Sequence, residues 1–126
     1  MIFRQLFEPL SCTFTYLLGC EATGHAVLID PVVNSIDRDV AEVQRLGPTL
    51  ALTLHTHIHA DHITGALHLK RRLNSRIAAP AMDHLPCIDV GVVEGTSLQV
   101  GSITVQPLHT PGHTDGHFAY VVADRV

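Results

Sequence analysis

A layered α/β domain is the fold class this sequence predicts, and three observations carry the expectation. Apolar residues at Ile36, Val40, Val43 and Leu46 keep helical spacing. The apolar runs Ala26-Val27-Leu28-Ile29 before them and residues 49–54 after them read as buried strands, so strand, helix and strand form a βαβ unit. Composition is the third: 46% of 126 residues are hydrophobic, which suits one core and one domain over residues 1–126.

The elements follow in order. Residues 2–7 and 13–18 are rich in Phe, Thr, Tyr and Leu and are separated by Glu8-Pro9-Leu10-Ser11, which predicts two antiparallel strands and a turn. Residues 19–24 form a second turn. The strand at 26–29 stops at Asp30-Pro31, because proline cannot continue a ladder and restricts the residue before it. A carboxylate at the C-terminal end of a strand faces the rim where sites are built. Asp30 therefore reads either as a group that orients a histidine ligand or as an ordinary turn residue.

The helix at 36–46 has Asn34, Ser35 or Asp37 available as N-cap and Gly47-Pro48 as its stop. After the strand at 49–54, residues 63–73 again read as helix, with Ile63, Ala66, Leu67 and Leu69 on one side and basic residues on the other. Residues 77–79 form a short strand ended by Pro80, and 82–90 a helical turn with loop. Residues 92–95 and 97–100 suggest a hairpin. Strands at 103–108 and 118–122 complete the chain.

Composition narrows the functional classes. The formal net charge is -4, and the basic cluster Lys70-Arg71-Arg72, with Arg76 beyond it, reads as the solvated face of a helix, so no nucleic-acid partner is expected. No run approaches the roughly 18 apolar residues of a membrane span. Residues 1–9 lack the apolar stretch of a secretory leader. Cys12, Cys20 and Cys87 have no zinc-ribbon or paired spacing, and together these features suggest reduced thiols in a cytoplasmic protein.

Ten histidines are the compositional anomaly, and they concentrate in two loops that each follow a predicted strand. The first, Thr56-His57-Ile58-His59-Ala60-Asp61-His62, holds three imidazoles and one carboxylate. Buried, such a cluster needs a partner for every polar atom, and a divalent metal is one. Alternate residues of an extended segment point the same way, so His57 and His59 can reach one ion, with Asp61 and His62 turning toward it or a neighbour. His62 sits at the start of the second helix, whose positive end favours a neutral ring. Asp61 also suits a general base beside a metal.

The second loop is His109-Thr110-Pro111-Gly112-His113-Thr114-Asp115-Gly116-His117, and His113 on its Pro-Gly turn is the best source of a further ligand. The alternative is a polar loop that happens to be His-rich. His25, His68 and His84 stand apart and read as surface residues, whereas His55, His109 and His117 flank the loops as supporting or exposed groups. No G-x-S-x-G elbow, phosphate loop or G-x-G-x-x-G follows a strand, which removes acyl-serine and nucleotide chemistries.

Thr56-His57-Ile58-His59-Ala60-Asp61-His62 resembles the T-H-x-H-x-D-H signature of metallo-β-lactamase-fold proteins, and Thr110-Pro111-Gly112-His113-Thr114 resembles their T-P-G-H-T signature. Residues 7–9, 11–19, 28–32 and 59–65 are similar to persulfide dioxygenases of the ETHE type. The resemblance implies an αββα sandwich, here its N-terminal half to two-thirds, and one Fe(II) that oxidises glutathione persulfide with O2 to sulfite and glutathione. It carries two iron ligands onto His57 and His113. His59, Asp61 and His62 would then line the pocket or surround the ligands, and they complete a two-metal site in hydrolytic relatives. The third iron ligand of the family, an aspartate in an F-T-G-D segment, has no counterpart before Val126.

Weak metal binding and self-association through an uncovered sheet are therefore expected. Two other readings stay open. One is a hydroxyacylglutathione hydrolase, with one or two Zn(II) ions activating water on a glutathione thioester. The other is an inactive metal-binding domain that associates with a partner.

Overall fold

Strands β1 (Ile2–Glu8) and β2 (Thr13–Gly19) pair antiparallel with Ile2 opposite Gly19 and Glu8 opposite Thr13, as their apolar runs and intervening turn predict. In the computed structural model the described residues are 1–47, 49–57, 60–112 and 116–122, with backbone alone for 60–63. The Glu8 carboxylate closes the hairpin, accepting hydrogen bonds from the Leu10 and Ser11 amides at 3.0 and 2.6 Å. Strand β3 (His25–Ile29) joins β2 antiparallel. From there the sheet turns parallel through β4 (Thr49–Leu54), β5 (Arg76–Pro80) and β6 (Val90–Val92), in the order β1-β2-β3-β4-β5-β6.

The crossover between β3 and β4 is helix α1 (Ile36–Leu46), at the bounds its spacing predicts. Ser35 occupies its N-cap position without a side-chain cap bond. Gly47 ends it at φ 85°, donating its N–H to the carbonyls of Val43 and Gln44; that left-handed conformation is one glycine adopts without the usual Cβ penalty. Helix α2 (Ala60–Leu73) bridges β4 and β5 and begins three residues before the predicted start at Ile63, so Asp61 and His62 belong to its first turn. Its basic face is exposed and ion-paired in part: Lys70 to Asp89 at 2.7 Å and Arg72 to Asp37 at 2.6 Å.

The predicted hairpin at 92–100 does not form. Strand β6 adds to the first sheet in parallel with β5, whereas β7 (Leu98–Val100) begins a second, antiparallel sheet with β8 (Ile103–His109) and β9 (Phe118–Val122). Two short apolar runs separated by a turn look alike whether they pair or cross between sheets. Pro80, expected only to end β5, is its last paired residue, opposite Val92.

Two cores result. Leu17, Leu28, Leu50, Val40, Val43 and Leu69 pack between the helices and the first sheet. On its other face Leu18, Val27, Ile29 and Leu54 meet Val105, Phe118 and Tyr120 of the second sheet. Both faces of β2–β4 are thus buried, which explains why these strands read as continuous apolar runs. The described residues form helix, sheet and sheet layers of the αββα sandwich. Each fully buried leucine, such as Leu28 or Leu54, would cost about 2–5 kcal/mol if truncated to alanine.

The layers set the site. Parallel β3 and β4 end side by side, at Asp30 and His55, on the rim where α/β sheets collect ligands. A hydrogen bond of 2.6 Å from the Phe118 amide to the Thr56 carbonyl ties the second sheet to that rim.

Candidate metal centre

Asp30 is turned toward the rim by its own backbone. It lies at φ 55°, a left-handed conformation that Asp tolerates better than most residues, and it is pinned on both sides. Its N–H donates to the Leu54 carbonyl at 2.8 Å, and its carbonyl accepts from the Thr15 hydroxyl at 2.9 Å. With 8% of its surface exposed, the carboxylate needs partners, and Thr56 supplies two. The Thr56 amide donates to Oδ1 at 2.9 Å and the Thr56 hydroxyl to Oδ2 at 2.7 Å.

That pair fixes the next residue. The Thr56 Oγ1 also lies 2.8 Å from Nδ1 of His57. A hydroxyl has one proton, here given to a carboxylate that can only accept, so the His57 contact requires an Nδ1–H donor. His57 therefore carries a proton on Nδ1, and in the neutral ring its Nε2 then keeps the lone pair that a metal takes. Of the five residues expected as ligands, His57 is the one whose side chain is described. Its ring is oriented by the Thr56 hydroxyl at Nδ1. Asp30 is thus linked to His57 through Thr56 and is more than a turn residue.

The other expected ligands are placed as follows. His59 and His113 lie outside the described residues. Asp61 and His62 stand in the first turn of α2, directly after the His57 loop, and their side chains lie outside the described residues. Gly65 on the same helix is a contact that sequence reasoning overlooked. A Cβ there would sit 3.1 Å from the Pro31 carbonyl oxygen and 3.1 Å from the Val33 amide nitrogen, so glycine lets α2 pack directly on the segment that follows Asp30.

Flanking histidines divide by environment. His55 is fully buried, which excludes simple exposure; its N–H donates to the Ala78 carbonyl at 3.1 Å, and its carbonyl accepts from the Tyr120 hydroxyl at 2.6 Å. Burial, with Asp30 nearby, pushes the Tyr120 phenol well above its usual range, so it remains the donor in that bond. His109 packs on Phe118 with ring centroids 5.2 Å apart. His117, expected only to flank the second loop, lies against His57 with ring centroids 5.3 Å apart and planes inclined by 21°. His25, His68 and His84 are exposed, His25 as the first residue of β3.

Beside these groups a cavity of about 260 Å³ has a largely apolar wall of Phe3, Tyr16, Leu18 and Phe118, to which Asp30, Thr56 and His117 add polar atoms. Sequence reasoning did not identify Thr56 as the bridge or His117 as the neighbour. Thr56 precedes a histidine in the motif, which was a usable signal, whereas nothing local in the sequence places residue 117 beside residue 57.

Comparison with known proteins agrees with this geometry. The sequence profile of the Metallo-beta-lactamase superfamily matches residues 13–126. The mitochondrial persulfide dioxygenase ETHE1 of Homo sapiens is 39% identical over 125 residues, covering 99% of this chain and 49% of that protein. Hydroxyacylglutathione hydrolase of Rhodopseudomonas palustris (strain BisA53) is 37% identical over 123 residues, covering 95% of this chain and 47% of that protein. The crystal structure of ETHE1 from Myxococcus xanthus superposes with a TM-score of 0.92 at 45% identity, covering 98% of this chain and 55% of that one. The chain thus spans about half the length of the curated relatives it matches. With the sandwich layers, the two histidine loops and the matched profile in agreement, the chain belongs to the metallo-β-lactamase superfamily.

Proposed function

We propose that the chain belongs to a non-haem iron persulfide dioxygenase, which takes glutathione persulfide and O2 to sulfite and glutathione. The observation that carries this reading is the hydrogen-bond chain from Asp30 through Thr56 to His57, which holds one imidazole ready for a metal at the rim of the sheet. The 39% and 45% identities to proteins named as ETHE1, over nearly all of this chain, favour the dioxygenase among the activities of the superfamily. In the proposal His57 and His113 bind the iron, while His59, Asp61 and His62 line the approach to it.

An iron held by His57 and His113 would supply the redox chemistry of the reaction. The chain's own residues do the rest. Asp30 and Thr56 keep Nδ1 of His57 protonated and the ring aimed, and the Thr56–Phe118 backbone bond holds the two loops at a fixed separation. The apolar wall beside Thr56 and His117 limits water near the site.

A zinc-dependent hydrolase is the second reading, favoured by the 37% identity to a hydroxyacylglutathione hydrolase. Oxygen consumption with glutathione persulfide by the iron-loaded protein, run beside thioester cleavage by the zinc-loaded protein, separates the two. Oxygen uptake without thioester cleavage is expected. Thioester cleavage without oxygen uptake would reverse the assignment.

A further inference from the structure

The geometry points to His117 as a positioning residue that braces His57 from the opposite loop, an inference that rests on His57 being a metal ligand. Both rings are held at their Nδ1 by a threonine: His57 by Thr56 at 2.8 Å and His117 by Thr110 at 2.9 Å. Backbone bonds fix the frames as well. The Thr110 amide donates to the His117 carbonyl at 2.9 Å, and the next residue, Phe118, donates to the Thr56 carbonyl at 2.6 Å. His117 therefore stands at the point where the second loop is fastened to the first.

A centroid distance of 5.3 Å with planes inclined by 21° falls in the range of offset aromatic stacking. The hydrogen bond at Nδ1 sets one edge of the His57 ring. The His117 ring packed on its face sets the plane. Thr56 thus selects the tautomer of His57, and His117 fixes the plane that keeps the Thr56 bond formed and the Nε2 lone pair aimed, so that a ring released by loss of His117 also populates the second tautomer. Because His117 lies in the loop that joins β8 to β9, directly before Phe118, its effect also makes the aim of the first loop depend on how the two sheets are docked.

The test compares His117→Ala, His117→Phe and Thr110→Val with the unaltered 126-residue chain. The two ring-nitrogen resonances of His57 are read by long-range nitrogen–proton correlation in metal-free protein, and Co2+ affinity is read by titration. Thermal melts confirm that each variant folds.

In the unaltered chain the two nitrogen shifts lie far apart, as one tautomer requires. In His117→Ala they converge and Co2+ affinity falls by about three- to tenfold, the amount an aromatic pair contributes. Phe at 117, which keeps the stack but has no ring nitrogen, restores both readouts, and Thr110→Val gives a smaller loss in the same direction. Unchanged shifts in His117→Ala would overturn the inference, as would failure of Phe to rescue, which would make His117 a ligand itself. Loss of the proposed site is distinguishable: His57→Ala leaving Co2+ affinity intact removes His57 as a ligand, whereas the metal-free resonances still report whether His117 braces it.

Discussion

Replacing Thr56 with valine deletes one hydroxyl at nearly constant volume and cuts the link between Asp30 and His57. Two groups lose a partner. Asp30 Oδ2 gives up a 2.7 Å donor in a side chain with 8% of its surface exposed. A hydrogen bond to a charged group contributes about 1.5–3 kcal/mol, and the His57 Nδ1–H loses its acceptor as well. The expected loss is about 2 kcal/mol of stability, which lowers Tm by roughly 6–10 °C in a domain of this size.

Metal affinity should fall by about 10–100-fold, the usual effect of removing a group that orients a metal-binding histidine. Thr56→Ser keeps the hydroxyl and should stay within about 0.5 kcal/mol of the unaltered chain. Thermal melts and Co2+ titration read the two effects separately. A valine variant that melts and binds as the original does would refute the hydrogen-bond account of His57, whatever the protein's activity.

Other expectations follow from the same structure. Asp39 is fully buried on α1, its Oδ1 bonded to Arg38 at 3.0 Å and its Oδ2 without a hydrogen-bond partner among the described residues. Burial raises its pKa from 3.8 to about 6 against the opposing pull of Arg38, so stability present below pH 3.8 is lost as pH rises through 6. About two pKa units correspond to about 3 kcal/mol, and the difference between wild type and Asp39→Asn should grow by that order between pH 4 and 7 in denaturant melts. A difference that stays constant with pH would refute it. Gly65→Ala should cost about 1–3 kcal/mol by urea unfolding, because the new methyl meets backbone of residues 31–33 rather than a side chain that can rotate away. Cys20 is 4% exposed, and the Ser102 hydroxyl at 3.0 Å, with Thr23, draws its thiol pKa down to about 6. Its stabilising effect is present above pH 9 and is lost as pH falls through 6, so Ser102→Ala should flatten stability across that window, and alkylation of Cys20 at pH 7 should be slower than that of exposed Cys12.

Much of the fold was legible because its signals are local. The bounds of α1, β4 and β9 follow from apolar spacing, a glycine stop and alternation within single segments. The run at 92–100 was misread because pairing is a tertiary choice: Val90–Val92 adds to β5 in the first sheet, while Leu98–Val100 forms its hairpin forward with β8 in the second. At the site, the density of His and Asp after a strand singled out the first loop, and of its candidate ligands the side chain of His57 is described. The residues that aim it were harder to read. Thr56 acts through Asp30, 26 positions away, and His117 reaches His57 only because two sheets dock face to face. Long-range partners of this kind have no periodicity to betray them.

The most direct test of the central claim is an equilibrium Fe(II) titration of the chain under anaerobic conditions, with His57→Ala and His113→Ala alongside. One iron per chain is predicted, with binding lost in both variants while their melting temperatures in chelator match the original. Iron that binds as tightly without His57 as with it would contradict the account.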